Sequence, residues 1–129
     1  MKQKPHVLIV DDVVENIQVA MNILKEDNYD FSFAMQGLEA ISLIEQDETK
    51  FDLILLDIMM PGFDVCEKIK NNPNTKNIPI IFLTAKVDID AISKGFSLGA
   101  VDYIIKPFHA EELLVRVRKH IQLYWAKKY

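Results

Sequence analysis

The sequence predicts an α/β fold: a five-stranded parallel sheet with five helices distributed over both faces. Three observations carry that expectation. Short apolar runs of β type alternate five times with segments whose apolar residues recur at helical spacing. The third run, residues 51–56 (FDLILL), is apolar almost throughout, as a strand buried on both faces must be. The chain has 129 residues, 50% of them hydrophobic, which suits a single domain over residues 1–129 with a sizeable core.

Residues 6–10 form the first strand, which stops at Asp11 and Asp12. Val13, Ile17, Ala20, Met21 and Leu24 then recur at steps that predict a helix to about Asn28. Residues 29–34 alternate and read as a strand near an edge. Gly37 opens a helix to about Gln46, with Leu38, Ile41 and Ile44 expected on its inner face. Residues 51–56 are the third strand, and the chain breaks at Pro61-Gly62 soon after it. A short helix follows from Phe63 to about Asn71, on Val65, Cys66 and Ile69. Residues 71–77 are a loop by composition. Residues 78–83 form the fourth strand, with Pro79 near its start, where a missing donor is tolerated. Ile89, Ile92 and Phe96 mark a helix ending at Gly99. Residues 100–105 are the fifth strand, closed by Lys106-Pro107. A last helix runs from about Ala110 to Trp125, on Leu113, Leu114, Val117 and Ile121. Such alternation implies right-handed crossovers and the flavodoxin-like, doubly wound strand order 2-1-3-4-5.

Composition excludes several classes. A net charge of -4 argues against a general nucleic-acid binder. The cations of the last helix, Arg116, Arg118, Lys119, Lys127 and Lys128, read as a solvated face with favourable charge near a helix C-terminus. Cys66 stands alone, so no internal disulfide and no cysteine metal site is expected, and it reads as a small core residue. His6, His109 and His120 lack ligand spacing and read as structural or exposed. No stretch approaches the roughly 18 apolar residues of a membrane span, and the N-terminus does not read as a signal peptide. A cytoplasmic setting is expected.

Chemistry gathers at the strand ends. Asp11 and Asp12 follow the first strand, Asp57 the third, Thr84 the fourth and Lys106 the fifth. In the order 2-1-3-4-5 those four strands are contiguous, so their C-terminal ends share one edge, where open parallel sheets bind ligands. Taken singly, each residue has a plainer reading. Asp11, Asp12 or Thr84 could cap a helix, and Lys106 could be a surface charge. Together, three carboxylates must take up a proton or bind a cation. A hard ion such as Mg2+ suits oxygen ligands and phosphate oxygens. An ammonium and a hydroxyl beside it suit the charge of a phosphoryl group, and a carboxylate there can act as nucleophile toward phosphorus.

These residues stand in four short motifs: Val10-Asp11-Asp12; Leu56-Asp57 followed by Ile58, Met59, Met60, Pro61 and Gly62; Leu83-Thr84-Ala85; and Tyr103 through Lys106-Pro107-Phe108. In that order, along nearly the whole chain, they resemble the receiver domain of two-component response regulators. The resemblance implies a phosphoacceptor signalling switch, not an enzyme. Asp57 would accept a phosphoryl group from a histidine kinase or a histidine phosphotransfer protein. Asp12, Asp57 and the backbone carbonyl of Met59 would ligate Mg2+, with Asp11 acting through a water. Thr84 would bond a phosphoryl oxygen, Lys106 would pair with Asp57, and Tyr103 would be the switch aromatic. The Lys106-Pro107 bond would be cis. Output would pass through the surface of the fourth helix, fifth strand and fifth helix, toward an output domain or a second copy, without direct nucleic-acid or membrane binding.

The chain departs from the family after Gly62. A hydrophobic residue, Asp and Gly usually follow the Pro-Gly pair, whereas here Phe63-Asp64-Val65 comes at once, so a shortened loop is expected. Met59 and Lys86 occupy the two positions that tune phosphate lifetime in the family, and Met59 offers no hydrogen bond to position a water. Two other readings compete. One is a pseudo-receiver serving as an interaction scaffold. The other is a phosphohydrolase of the haloacid dehalogenase type, which would want a second acid where Met59 stands.

Overall fold

β3 (Leu53–Asp57) lies at the centre of five parallel strands, and every one of its residues is buried. The computed structural model describes residues 4–85 and 88–129. Around β3 the chain forms β1 (His6–Val10), α1 (Val14–Leu24), β2 (Asp30–Ala34), α2 (Gly37–Gln46), α3 (Gly62–Asn71), β4 (Ile80–Thr84), α4 (Ile89–Ser97), β5 (Asp102–Ile105) and α5 (Ala110–Lys128). The strand order is β2-β1-β3-β4-β5, as the alternation of elements predicts.

Side chains alternate across the sheet, so each strand feeds two cores. Leu8, Val10, Ile54, Leu56, Ile80 and Phe82 pack on the α2 and α3 side. Val7, Ile9, Leu53, Leu55, Ile81 and Leu83 pack on the side of α1 and α5. Truncating one of these leucines to Ala costs about 2–5 kcal/mol, since transfer and cavity terms add.

The helices differ from the sequence expectation in detail. α1 stops at Leu24, continues as a 3-10 turn over Lys25–Asp27, and ends where Asn28 adopts a left-handed φ of 52°. Val13 is its N-cap and no side chain caps it, so Asp11 and Asp12 are not capping residues in that sense. In α2, Ile44 is buried and Ile41 half-buried as expected, but Leu38, expected inside, is 75% exposed and Ala40 is buried in its place. One turn of helix offers several apolar positions, and the α3 contact selects among them. In α4, Ile89 and Phe96 are exposed and Gly95 is the buried residue. A Cβ at Gly95 would come within 2.9 Å of two ring atoms of Phe82, so glycine lets α4 lie close to β4. The third, fourth and fifth strands begin two residues later than the apolar runs suggest.

α5 outruns the sheet to Lys128 and is tied down there. Trp125 donates its indole N–H to the buried carboxylate of Asp52 at 2.9 Å. Cys66 is buried in the core. His6 and His120 are hydrogen-bonded and His109 is exposed. Among the described residues, no helix is long and apolar enough to cross a membrane.

Candidate functional site: an acidic cluster at the strand ends

The C-terminal edge is zipped one residue beyond the strands. Asp11 N–H donates to Ala34 O (3.1 Å), Ile58 N–H to Leu83 O (2.9 Å) and Lys106 N–H to Thr84 O (2.7 Å). These bonds hold Asp11, Lys106 and the backbone next to Asp57 in fixed positions, and the side chains of Asp11, Asp57 and Lys106 turn into one depression. Asp11, Asp12 and Asp57 each bring a carboxylate oxygen there, all within 4.8 Å of one another. Asp11 and Asp57 are buried, whereas Asp12 is exposed at the mouth.

Lys106 reaches in from the end of β5. Its ammonium lies 2.9 Å from Asp11 Oδ2 and 3.4 Å from Asp57 Oδ2. Among the described residues, one cation therefore serves this cluster of three acids. Asp11 Oδ1 accepts from the Val13 N–H at 2.9 Å and, more distantly, from the Asn16 amide at 3.4 Å. Asp57 Oδ1 accepts from the Met59 N–H at 3.0 Å. Burial pushes the Asp57 carboxyl above the usual carboxylate value, and the charge of Asp11 adds to this. The Met59 N–H and Lys106 pull it back only in part. Asp11 Oδ2 is buried and, despite its closeness to Lys106, has no aligned hydrogen-bond donor among the described residues. An acidic cluster with a buried oxygen in that state fits a hard divalent cation, which takes oxygen ligands and supplies the missing charge.

Of the other residues singled out in the sequence, Thr84 is buried at the end of β4. Thr84 and Tyr103 line the same small gap, with Ile92 and Phe96 of α4 on its other wall. Tyr103 is half-buried and meets the edge of Phe96 at 6.1 Å between ring centres. Met59 turns its N–H inward and leaves its side chain 73% exposed. Lys86 lies outside the described residues. The Lys106-Pro107 peptide is cis. Asn16 joins the site without having been anticipated; its only signal is an amide in the first turns of the helix that follows the acidic pair.

The loop after β3 is short. α3 starts at Gly62, five residues after Asp57, and Pro61 is its N-cap. Gly62 N–H and Met60 O are in close contact. A Cβ on residue 62 would collide with the Asp57 carbonyl oxygen, so only glycine fits so near the site. Phe63 follows at once and packs edge-on against Phe82 at 5.5 Å.

A five-stranded 2-1-3-4-5 sheet with an acidic cluster and a lysine at its C-terminal edge defines a class of signalling domain. The chain belongs to the response regulator receiver domain family, whose model matches residues 7–118. It is 42% identical over 119 residues to the Vibrio cholerae "Probable cyclic di-GMP phosphodiesterase", covering 90% of this chain and 26% of that protein. It is 38% identical over 117 residues to the Synechocystis "DNA-binding dual master transcriptional regulator RpaA", covering 88% of this chain and 48% of that protein. The chain thus spans between about a quarter and a half of those relatives' lengths. Among solved structures, the Vibrio cholerae chemotaxis response regulator CheY4 superposes with a TM-score of 0.84 at 28% identity, covering 92% of this chain and 99% of that one. A response regulator of Thermotoga maritima gives 0.83 at 30% identity, covering 92% and 98%. As a receiver domain, the chain is a regulatory module of two-component signalling.

Proposed function

We propose that this receiver domain is a phosphoacceptor switch in which Asp57 takes a phosphoryl group from the phosphohistidine of a kinase or phosphotransfer protein. The observation that carries the reading is the cluster itself, with three carboxylates within 4.8 Å and the Lys106 ammonium at 2.9 and 3.4 Å from two of them. In the transfer, an Asp57 oxygen attacks phosphorus, the P–N bond breaks, and the electron pair leaves with the imidazole. Asp12, Asp57 and the Met59 carbonyl would hold Mg2+, with Asp11 behind a water. When bound, the ion offsets the charge of the carboxylates and of the phosphoryl oxygens.

Lys106 is placed to follow the charge from Asp57 to the phosphoryl group. Thr84 supplies a hydroxyl donor on the neighbouring strand end, and its movement would open the gap beside Tyr103 to that ring. The outcome is a shift between two conformations that differ at α4, β5 and α5. That surface carries the exposed Ile89 and Phe96, which suits an output domain or a second copy. A cytoplasmic location accords with such partners. Met59, with its exposed thioether, provides no second acid for a hydrolase.

The test is incubation with acetyl phosphate, with and without Mg2+, followed by intact mass. Wild type should gain one phosphate only with Mg2+, and Asp57→Ala should gain none. An unlabelled wild type, or a label that survives in Asp57→Ala, overturns the reading, and multiple turnover of a phosphate ester would favour a hydrolase.

A further inference from the structure

The opposite edge of the sheet holds a cavity that the acceptor chemistry does not use. It measures about 460 Å³ and lies between the α3–β4 loop, the start of β5 and the last turns of α5. Its polar lining consists of Asn74, Asn77, His120, Tyr124, Lys127 and Lys128, the last two being cations. No carboxylate lines it, although Glu48 accepts from the Asn74 amide outside it. In a chain of net charge -4, a cavity walled by two lysines and no acid is a local reversal.

His120 gives the cavity a buried polar wall. The residue is 8% exposed, and its Nε2 lies 3.0 Å from Asp102 Oδ2. The other oxygen of Asp102 is taken by Arg116. With Nε2–H donated to that carboxylate, the second ring nitrogen, Nδ1, is an acceptor that makes no hydrogen bond to any described residue, so it would meet a donor on a ligand's ring rather than its anionic group. Tyr124 is half-buried, and burial pushes its phenol up, so it remains a neutral donor. The Lys128 ammonium stands 5.3 Å from the centre of the Tyr124 ring, placing charge beside aromatic surface. Pro79, Val101 and Leu123 supply an apolar wall.

We propose that this cavity is a binding site for a small aromatic anion of mononucleotide size. The lysines and Asn77 would meet the anionic group, and the apolar wall and Tyr124 would meet a flat ring. A lone phosphate would leave most of about 460 Å³ unfilled, while small-molecule sites of several hundred Å³ combine apolar walls with a few placed polar groups. The site lies at the far edge of the sheet from Asp57, and the proposal does not rest on phosphorylation.

The probe is AMP, titrated into the 15N-labelled full chain, with adenosine and inorganic phosphate as the two partial ligands. AMP should give saturable shifts at Val101, Leu123 and the His120 ring. Adenosine and phosphate should each bind on the order of tenfold more weakly, and Lys127→Gln/Lys128→Gln should weaken AMP by a similar factor, since two charge contacts are removed. Both lysines are exposed at a helix end, so the variant keeps the fold. Absence of saturable shifts at these residues, or AMP binding untouched by the double substitution, overturns the site. Phosphate binding as tightly as AMP overturns its aromatic half.

Discussion

β3 has a buried carboxylate at each end, and the fold treats the two differently. Asp52, just before the strand, is fully buried and accepts from the His6 N–H at 2.8 Å on one oxygen and from the Trp125 indole at 2.9 Å on the other. Asp57, its last residue, receives one backbone N–H and shares Lys106 with Asp11. The contrast repeats on other strands. Asp102 at the start of β5 engages Arg116 and the Tyr103 N–H through one oxygen and His120 through the other. Asp11, after β1, keeps an oxygen without an aligned donor. The N-terminal edge is thus closed by satisfied carboxylates that tie α5 to the sheet. The C-terminal edge holds carboxylates short of positive charge. A satisfied buried acid stabilises its surroundings, whereas an under-satisfied one costs stability and persists where it has chemistry to do.

Substitutions at the two ends should therefore part ways. The largest effect is expected at the satisfied end. Asp52→Ala leaves the half-buried His6 N–H and Trp125 indole without this acceptor and should lower stability in urea by about 1–3 kcal/mol, while labelling by acetyl phosphate persists. Loss of labelling with unchanged stability would reverse the assignment of the two ends. At the acceptor end, Met59→Asn adds a side chain able to position water. It should speed loss of the phosphoryl group by about tenfold, equivalent to about 1.4 kcal/mol of barrier, followed by the decay of labelled mass. An unchanged or slower decay counts against the role given to Met59.

Asp57→Asn should leave the fold equally stable or raise stability by about 1 kcal/mol at neutral pH, because it removes an ill-compensated buried charge. The Asp57 pKa is raised in the folded state by burial, so wild type recovers stability as pH falls through that raised value. The gap between the two proteins in urea melts should narrow from neutral toward acid pH; a gap that widens would refute the argument. The smallest effect is expected at the surface pair of Asp27 and Arg118, joined by two hydrogen bonds of 2.5 and 2.8 Å. Arg118 lowers the Asp27 pKa, so this contribution is present above the ordinary carboxylate value and is lost as pH falls through the depressed one. Asp27→Asn should cost little at neutral pH and nothing in strong acid, and salt should weaken even the neutral-pH difference.

Much of the architecture is legible in the residues because it rests on short-range rules. A run such as residues 51–56 has only one comfortable place, between two helical layers, and the breaks at Pro61-Gly62 and Lys106-Pro107 mark where strands must end. The site is legible for the same reason: Asp11, Asp12, Asp57, Thr84 and Lys106 each follow an apolar run, and the strand order brings four of those ends to one edge. Helix faces were harder to read. Leu38, Ile89 and Phe96 fit the periodicity yet lie outside, because α2 and α4 meet their neighbours through Ala40, Ile44 and Gly95.

Residue order alone places Asp11, Asp57 and Lys106 at the C-terminal ends of their strands, since alternation and breakers act over a few residues. Which acids find their donors depends on the packing of distant segments. Asp52 finds its indole donor 73 positions away, Asp102 its imidazole 18 away, and Lys106 must divide itself between Asp11 and Asp57. A hydrogen bond or ion pair depends on distance and direction in space, and those are set by how the helices cross the sheet rather than by spacing along the chain.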